Sequence, residues 1–475
     1  MPNRNYLFYD FTVSICSQCL RKVEAKIIIQ DNKVYMIKRC LIHGAEKVLI
    51  ATDVEYYKMT RDYLKPPSAP LRFNTEIKYG CPYDCGLCPD HQQHSCLTVI
   101  EITDRCNLTC PTCYAESSPN HGRHRSVEEV ERMFDIIVAN EGEPDVIQIS
   151  GGEPTVHPDF FKILDIAKTK PFRHLMVNTN GIRLAKDEEF VKRLATYMPA
   201  FEIYLQFDSF EAETLKRMRG EDLHDVRQKA LDHLNRYNLS TTLVVTLQKD
   251  LNMHEIGKII QFALKQKCVR GVTLQPTQSA GRLENFNPAT DRVTLTEVRQ
   301  AVIDQSGIFT TNDILPVPCN SDALAMGYAL KLAGQVVPLT RYINPRDLLE
   351  DEKNTIVYEK DPELHQKIIN VFDTGKCGEA IPQTLQALLC CLPKIKAPQL
   401  KYGNIFRVII MQFIDKYNFD VRVAKKSCVH IVHKDGRVIP FDTMNLFYRD
   451  DKEEYLKELQ REIVLSEGSN AGKFV

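Results

Sequence analysis

The sequence has no charge excess of either sign: 61 basic residues against 62 acidic ones leave a formal net charge of -1 over 475 residues. Binding nucleic acid by electrostatics needs a basic balance, so no nucleic-acid partner is expected. No stretch reaches the roughly 18 consecutive apolar residues of a membrane span. The longest candidate, Ile405 to Ile414, is interrupted by Arg407 and Gln412. A spanning helix is thereby excluded, while peripheral membrane contact is left open. Met1 to Ile15 lacks a basic head before an apolar run and does not read as a signal peptide, so a cytoplasmic chain is expected. Nor is the composition that of a disordered chain, with 43% hydrophobic and 26% charged residues. The length allows about three domains.

What the sequence does have is cysteine. Ten of the sixteen fall within the first 113 residues, in C-x2-C and C-x3-C-x2-C groups. In a reducing compartment that spacing points to metal rather than to disulfides. Cys106, Cys110 and Cys113 follow a strand-like run, Thr98 to Thr103. Three thiolates fill three corners of a four-iron cube, which normally takes four, so one iron is left open to a ligand. A structural metal knuckle would also use close thiols.

Two further groups precede it. Cys81, Cys85 and Cys88 repeat the spacing and Cys96 adds a fourth thiol, which reads as a closed auxiliary [4Fe-4S] cluster. His91 and His94 lie between as alternative ligands, and Cys88, His91, His94 and Cys96 form a tolerable zinc set. Cys16, Cys19, Cys40 and His43 flank a hairpin-like segment, Ala25 to Ile29 and Val34 to Ile37, turning at Asp31-Asn32-Lys33. So small a ribbon needs a metal, zinc or rubredoxin-like iron, to hold its fold. Three prolines between Lys65 and Pro70 make an extended linker after it. The expected division is 1–64 for the ribbon, 71–96 for the auxiliary segment, 97–281 for a repeating strand–helix unit, and 282–475 for a mixed extension.

In that third unit the strand candidates are Thr98 to Thr103, Asp145 to Ser150, His174 to Asn178, Glu202 to Phe207, Thr241 to Leu247 and Gly271 to Gln275. Helical periods separate them, the first opening on a Ser126-x-x-Glu129 capping box. Six strands with helices in series predict an α/β fold with a parallel sheet and right-handed crossovers. Functional loops of such folds sit at the C-terminal strand ends, where the cysteines fall. The other strand ends read Ser150-Gly151-Gly152-Glu153, Asn178-Thr179-Asn180-Gly181, Gln206-Phe207-Asp208-Ser209 and Gln275-Pro276-Thr277. These polar groups are expected to converge on one mouth.

Taken together, the three-cysteine motif and the ordered strand ends resemble the radical S-adenosylmethionine (radical SAM) superfamily over Leu97 to Gly281. The resemblance implies a partial (β/α)6 barrel, with Cys106, Cys110 and Cys113 holding the cluster and Gly151, Gly152 and Glu153 binding the amino group of SAM. It makes Asn180 and Asp208 ribose or methionine contacts. The position before the last cysteine, commonly aromatic in the family, is Thr112, so adenine packing is expected from Val272 or Leu274. Over nearly the whole length, the ribbon, the doubled cysteine run and the tail from Phe406 to Asn445 resemble the group of archaeal tetraether lipid synthases and relatives called pterin methyltransferases. That group carries auxiliary iron-sulfur clusters and a rubredoxin-like site. For Cys319, Cys377, Cys390, Cys391 and Cys428, a further cluster and plain buried thiols both stay open.

The function so implied is reductive cleavage of SAM, with an electron from a donor such as ferredoxin or flavodoxin. The 5′-deoxyadenosyl radical would take hydrogen from a substrate carbon, for carbon–carbon coupling or alkylation of a lipid chain. The apolar run Phe406, Val408, Ile409, Ile410, Met411 and Phe413 reads first as an ordinary core strand or helix, as short apolar runs usually are, and second as the lining of an acyl tunnel. The first alternative is methylation of a pterin or other heterocycle. The second, from another class, is a non-catalytic iron-sulfur or zinc electron-transfer protein, which leaves Gly151-Gly152-Glu153 unexplained.

Overall fold

A computed structural model describes residues 4–283, 286–332, 335–341, 402–449 and 452–470. Cys377, Cys390 and Cys391 lie outside the described residues. The first four strands, β1 (Leu7–Ile15), β2 (Lys22–Gln30), β3 (Lys33–Cys40) and β4 (Gly44–Ala51), form an antiparallel meander. β2 and β3 turn through Asp31 and Asn32, both at positive φ (50° and 55°), the pair of left-handed residues that a two-residue hairpin asks for. The β1–β2 and β3–β4 turns lie at the same end of this sheet, and they carry Cys16 with Cys19 and Cys40 with His43. The ribbon's own apolar core is small, comprising Ala25, Ile27, Val34, Met36, Ala51 and two residues at the start of the following helix, Val54 and Tyr57.

Helix α1 (Val54–Met59) closes the ribbon, and the strand–helix unit begins at β5 (Leu97–Thr103). It continues through α2 (Val127–Glu141), β6 (Val146–Gly151), α3 (Phe160–Thr169), β7 (His174–Thr179), α4 (Ile182–Lys186), α5 (Glu188–Ala195) and β8 (Phe201–Gln206). Then come α6 (Ala212–Arg219), α7 (His224–Tyr237), β9 (Thr241–Leu247), α8 (Ile256–Lys265) and β10 (Val269–Pro276). Strands β5 to β10 pair in parallel and in chain order. The capping box at Ser126 and Glu129 forms with both of its hydrogen bonds, and α2 turns Val130, Phe134 and Ile137 onto the sheet.

Strand alternation then sorts the residues. Ile147, Ile149, Val177, Ile203, Leu205 and Leu243 face the helices in the main core. Val146, Met176, Tyr204 and Val244 face inward. Val272 and Leu274 belong to the outward set, fully buried under the helices. The expectation that either packs against adenine is corrected here: the two-residue period of β10 turns Thr273 and Gln275 inward instead.

The tail is built into the same sheet. After α9 (Leu295–Ser306) come β11 (Leu315–Pro316), β12 (Leu324–Leu332), β13 (Gln335–Pro338), β14 (Ile405–Met411), β15 (Val429–Val432) and β16 (Val438–Pro440), followed by α10 (Glu453–Asn470). β14 adds in parallel to β10, and β15 adds in parallel to β5, so tail strands extend the six-strand set at both edges. The apolar run, read first as core and second as an acyl tunnel, is core: it forms β14. Phe406, Val408 and Ile410 are fully buried in the main core, and only Met411 and Phe413 reach the central cavity. On the inward face of β14, the Arg407 guanidinium donates to both carboxylate oxygens of Glu202 on β8 at 2.6 and 2.8 Å. His174 stands 3.5 Å from the same carboxylate. Burial penalises the Glu202 charge, but Arg407 beside it holds the carboxyl well below its usual range. This ionic floor closes the barrel away from the strand ends. No helix among the described residues is long and apolar enough to cross a membrane.

Candidate active site at the cysteine loop

The loop after β5 carries the three thiols, and its backbone is tied down by side chains from distant elements. Arg282 donates to the carbonyls of Cys110 (2.9 Å), Ser117 (2.5 Å) and Glu116. Thr112, the departure from the aromatic residue common in the family, donates through its hydroxyl to the Met218 carbonyl at 3.1 Å, so it anchors the loop to the end of α6. Asn180 Nδ2 donates to Asn107 Oδ1 at 2.7 Å and fixes the loop from the β7 side.

Cys106, Cys110 and Cys113 line one cavity together with Gly151, Gly152, Glu153 and Asn180. The glycines are there because two backbones meet. A Cβ at Gly151 would lie 2.1 Å from the Thr103 carbonyl oxygen, and one at Gly152 would lie 2.2 Å from that of Arg105. Gly152 and Glu153 instead donate their N–H groups to those two carbonyls at 2.8 and 2.9 Å, which carries the β5–β6 ladder up into the cysteine loop. Glu153 is buried and accepts from Thr155 N (3.1 Å), Thr155 Oγ1 (2.6 Å), Thr179 Oγ1 (2.8 Å) and Asn180 N (2.8 Å). Burial pushes its carboxyl up, against the pull of these donors. Only one of the four bonds reaches Oε2, which keeps acceptor capacity at the cavity wall.

Asp208 sits differently from the direct SAM contact expected of it. It is fully buried and outside the cavity lining, with Oδ1 taking Arg219 Nη2 (2.7 Å) and Thr246 N (3.0 Å) and Oδ2 taking Arg219 Nε (2.8 Å) and Arg227 Nη2 (2.9 Å). Its capacity is spent on holding two guanidiniums, and Arg219 and Arg227 are what line the cavity. Burial, with Arg219 beside it, pushes Arg227 down to about 10. Two guanidiniums against one carboxylate leave positive charge at this wall, next to Cys110, whose thiol burial pushes up and Arg219 pulls down. Burial likewise raises the Cys106 thiol to about 12. Thiols in such surroundings give up their protons to a bound metal rather than to water.

The donor sets distinguish a single ion from a cluster. In the ribbon, Cys19 and Cys40 are 3.8 Å apart, and His43 Nδ1 lies 3.4 Å from Cys16 and 3.6 Å from Cys40. Zinc–sulfur bonds of about 2.3 Å at the tetrahedral angle put two thiolates about 3.8 Å apart. The ribbon set therefore fits one tetrahedral ion. Cys106, Cys110 and Cys113 share a cavity without forming such a tight group, as three corners of a cube require.

The expected auxiliary set is divided. Cys81 and Cys85 lie in hydrogen-bond contact with Cys88 near them. Cys96 instead gathers with Cys319 and Cys428, and the latter two sulfurs are 3.6 Å apart. His94 Nε2 is 3.5 Å from Cys96 Sγ, with Glu141 on its other nitrogen at 3.3 Å. The cause is topological. β15 pairs with β5 through Val429 and Leu97, the residues immediately after Cys428 and Cys96.

Residues that the motifs did not single out complete the cavity. Arg219 Nη2 donates to Gln206 Oε1 at 3.0 Å, Gln206 Nε2 to Asn178 Oδ1 at 2.9 Å, and Asn178 Nδ2 to Ser150 Oγ at 3.1 Å. Gln148, Thr246 and Gln275 extend this polar arc, while Tyr114, Phe413 and Phe441 stand among the aromatic residues of the lining. The usable signal for Gln148 and Tyr114 was position alone, two residues before a strand-end serine and one after the last cysteine.

Two family models match the sequence: Radical SAM superfamily over residues 100–263, and HMPTM N-terminal zinc ribbon domain over residues 8–52. The chain is 30% identical over 482 residues to the 7,8-dihydro-6-hydroxymethylpterin dimethyltransferase of Methanocaldococcus jannaschii, covering 93% of this chain and 94% of that one. A GTP 3′,8-cyclase of Actinobacillus succinogenes is 28% identical over 168 residues, 34% of this chain and 48% of that one. Among solved structures, Streptococcus suis SuiB bound to S-adenosylmethionine aligns with a TM-score of 0.37 and 16% identity over 44% of this chain and 46% of that one, less than half its length.

Proposed function

The chain belongs to the radical SAM superfamily, and from that premise we propose that it methylates a carbon of a pterin-like heterocycle: the methyl group comes from the sulfonium of a SAM molecule, which leaves as S-adenosylhomocysteine, and the ring C–H becomes C–CH3 with loss of a proton. The observation that carries this reading is the polar arc Gln148, Asn178, Gln206, Thr246 and Gln275 in the same cavity as the cysteine loop. A buried acyl chain would leave the Gln148 amide and Gln275 Oε1, which the arc's internal hydrogen bonds do not engage, without partners, at about 1–3 kcal/mol for each. A heterocycle with donors and acceptors on its rim satisfies them. The near full-length likeness to a pterin dimethyltransferase supports the same choice over a lipid substrate.

Cys106, Cys110 and Cys113 are the residues that would hold the [4Fe-4S] cluster, and when bound with SAM that cluster supplies reductive SAM cleavage as a radical source. The electron would come from a donor such as ferredoxin or flavodoxin. Around it the chain's own groups have assignable work. Glu153 offers Oε2 to the SAM ammonium, and Arg219 offers positive charge to its carboxylate. Asp208 keeps Arg219 and Arg227 in place, and Asn180 holds the cysteine loop against β7. Leu97, Val99, Val429 and Phe441 shield the other side of the cavity from water.

The test compares pterins extracted from cells expressing the chain with those from cells expressing a Cys106→Ala variant. A pterin heavier by one or two methyl groups should appear only with the intact chain. Unchanged pterins, in cells whose purified protein forms 5′-deoxyadenosine with SAM and reductant, would remove the pterin reading and leave the radical chemistry standing.

A further inference from the structure

Below the cysteine loop the cavity has two unlike walls. From β6 round to β10 the side chains that reach the cavity are mostly amides and hydroxyls, whereas from β14 across to β5 they are Leu97, Val99, Met411, Phe413 and Phe441. The hydrogen bonds within the polar arc fix which way most of its amides face. Arg219 can only donate, so Gln206 must turn its oxygen toward it. The Gln206 NH2 then faces Asn178 Oδ1, and the Asn178 NH2 faces Ser150. This chain is polarised from Arg219 to Ser150 and cannot flip one member alone.

Gln148 and Gln275 stand outside it. Gln148 lines the cavity with its side-chain amide unengaged among the described residues. Gln275 uses only Nε2, 3.1 Å from the Tyr204 hydroxyl and 3.9 Å from Met411 Sδ, so its Oε1 is free. Gln148 is buried and Gln275 partly buried, and both lie on strands of the sheet rather than on loops. Opposite them, Phe441 packs against Phe413 at a centroid distance of 4.2 Å and against Tyr114 at 4.9 Å.

Building on the heterocycle reading above, we propose that Gln148 and Gln275 are the specificity-determining residues, reading the in-plane amide edge of a flat ring that lies between the polar arc and the Phe413–Phe441 wall. The Gln148 amide presents one donor and one acceptor in a plane, the complement of a ring N–H beside a ring carbonyl, and Gln275 adds the free acceptor Oε1 for a second ring N–H. Two such residues on β6 and β10 grip a ring from two sides. Phe413 and Phe441 give its face an apolar surface to pack on. A site built to pair such groups rejects rings that lack them, because its own amides are then left unpaired.

The test is binding without turnover. Holoenzyme with cluster and SAM, but no reductant, is titrated calorimetrically with 7,8-dihydro-6-hydroxymethylpterin. Gln148→Leu and Gln275→Leu should each weaken binding at least tenfold, with the cluster's absorption spectrum unchanged. Should either leucine variant fail to retain its cluster, Gln148→Glu, which removes the donor, and Gln275→Met, which removes the acceptor, nearly keep the shape and should weaken binding likewise. Wild-type binding with the same affinity in the variants would overturn the assignment of these two residues alone. No binding by the wild type would overturn the pterin reading on which it rests.

Discussion

Leu97 donates its backbone N–H to the carbonyl of Cys428 across 3.1 Å, joining the start of β5 to the start of β15. That single bond brings together cysteines 332 positions apart in the chain, since Cys96 precedes Leu97 and Cys428 carries the acceptor. Metal and sulfide content should therefore fall in separable steps. A Cys106→Ala, Cys110→Ala, Cys113→Ala triple variant should lose one cluster's worth of iron and sulfide, and Cys319→Ala with Cys428→Ala the metal of a different site, whose closely spaced sulfurs fit a single ion, with no sulfide lost. Mössbauer spectra of both variants and of their combination check it. Loss of metal from the Cys106 group in the Cys319, Cys428 variant would show that the sites are not independent.

Gly152→Ala tests the close approach of the two strand ends. Its Cβ would sit 2.2 Å from the Arg105 carbonyl oxygen, and neither backbone can yield without moving the cysteine loop. A shift of about 1 Å in reacting groups costs on the order of a hundredfold in rate. SAM cleavage should fall by about that factor, whereas Gly307→Asn should not change it. Gly307 has positive φ, but nothing lies within 4 Å of its Cβ position and asparagine tolerates the left-handed region. Assay of 5′-deoxyadenosine for both variants decides the matter, and wild-type rates in the alanine variant would contradict the geometry.

How legible each feature was depended on whether its partners were neighbours in sequence. Cys106, Cys110 and Cys113 declare themselves by spacing, and Ser126 with Glu129 by the capping box, because both are built within one turn of chain. Cys96 was read with Cys88, eight residues away, for the same reason, since spacing cannot show Cys319 and Cys428, the latter brought beside it by β15. Val272 and Leu274 failed through a one-residue choice of strand face, which reverses every side chain. Asp208 lay at the expected strand end, yet what it shows the cavity depends on Arg219 and Arg227, which no spacing rule pairs with it. The tail's apolar run was legible as core from its shortness, but the sheet edge it would join was not, because its partner β10 lies 136 residues earlier in the chain, Gly271 beside Arg407.

The ribbon's metal should stabilise more than the ribbon. Buried Lys38 on β3 donates to the Ile15 carbonyl at 2.8 Å and to the Lys416 and Tyr417 carbonyls at 2.9 and 2.8 Å, and Thr12 donates to Asp420 at 2.6 Å. With only a handful of buried apolar residues of its own, the ribbon depends on the ion among Cys16, Cys19, Cys40 and His43. Cys19→Ser, or removal of that ion by a chelator, should lower the melting temperature of the main calorimetric transition by roughly 5 °C or more. A small early transition with the main one unmoved would mean that the ribbon melts alone.

Asp442 gives the fold a pH dependence of unusual sign for a carboxyl. It is buried between the tail strands, where Oδ1 accepts from Ile414 N at 2.7 Å and Oδ2 from Ser427 Oγ at 3.1 Å. Burial pushes its pKa up to about 7. The unfolded chain releases this proton near pH 4. Between about pH 4 and pH 7 the folded state thus binds more protons than the unfolded one, so its contribution to stability is full below that window and falls as pH rises through it. Above pH 7 the loss levels off at an upper bound on the order of 4 kcal/mol. Asp442→Asn keeps the acceptor for Ile414 and can donate to Ser427, without a charge to bury. It should be more stable than the wild type at pH 8 and about equal to it at pH 4.5, as denaturant melts at the two pH values would read. A variant destabilised equally at both would place the carboxyl's ionised form, rather than its neutral form, in the native structure.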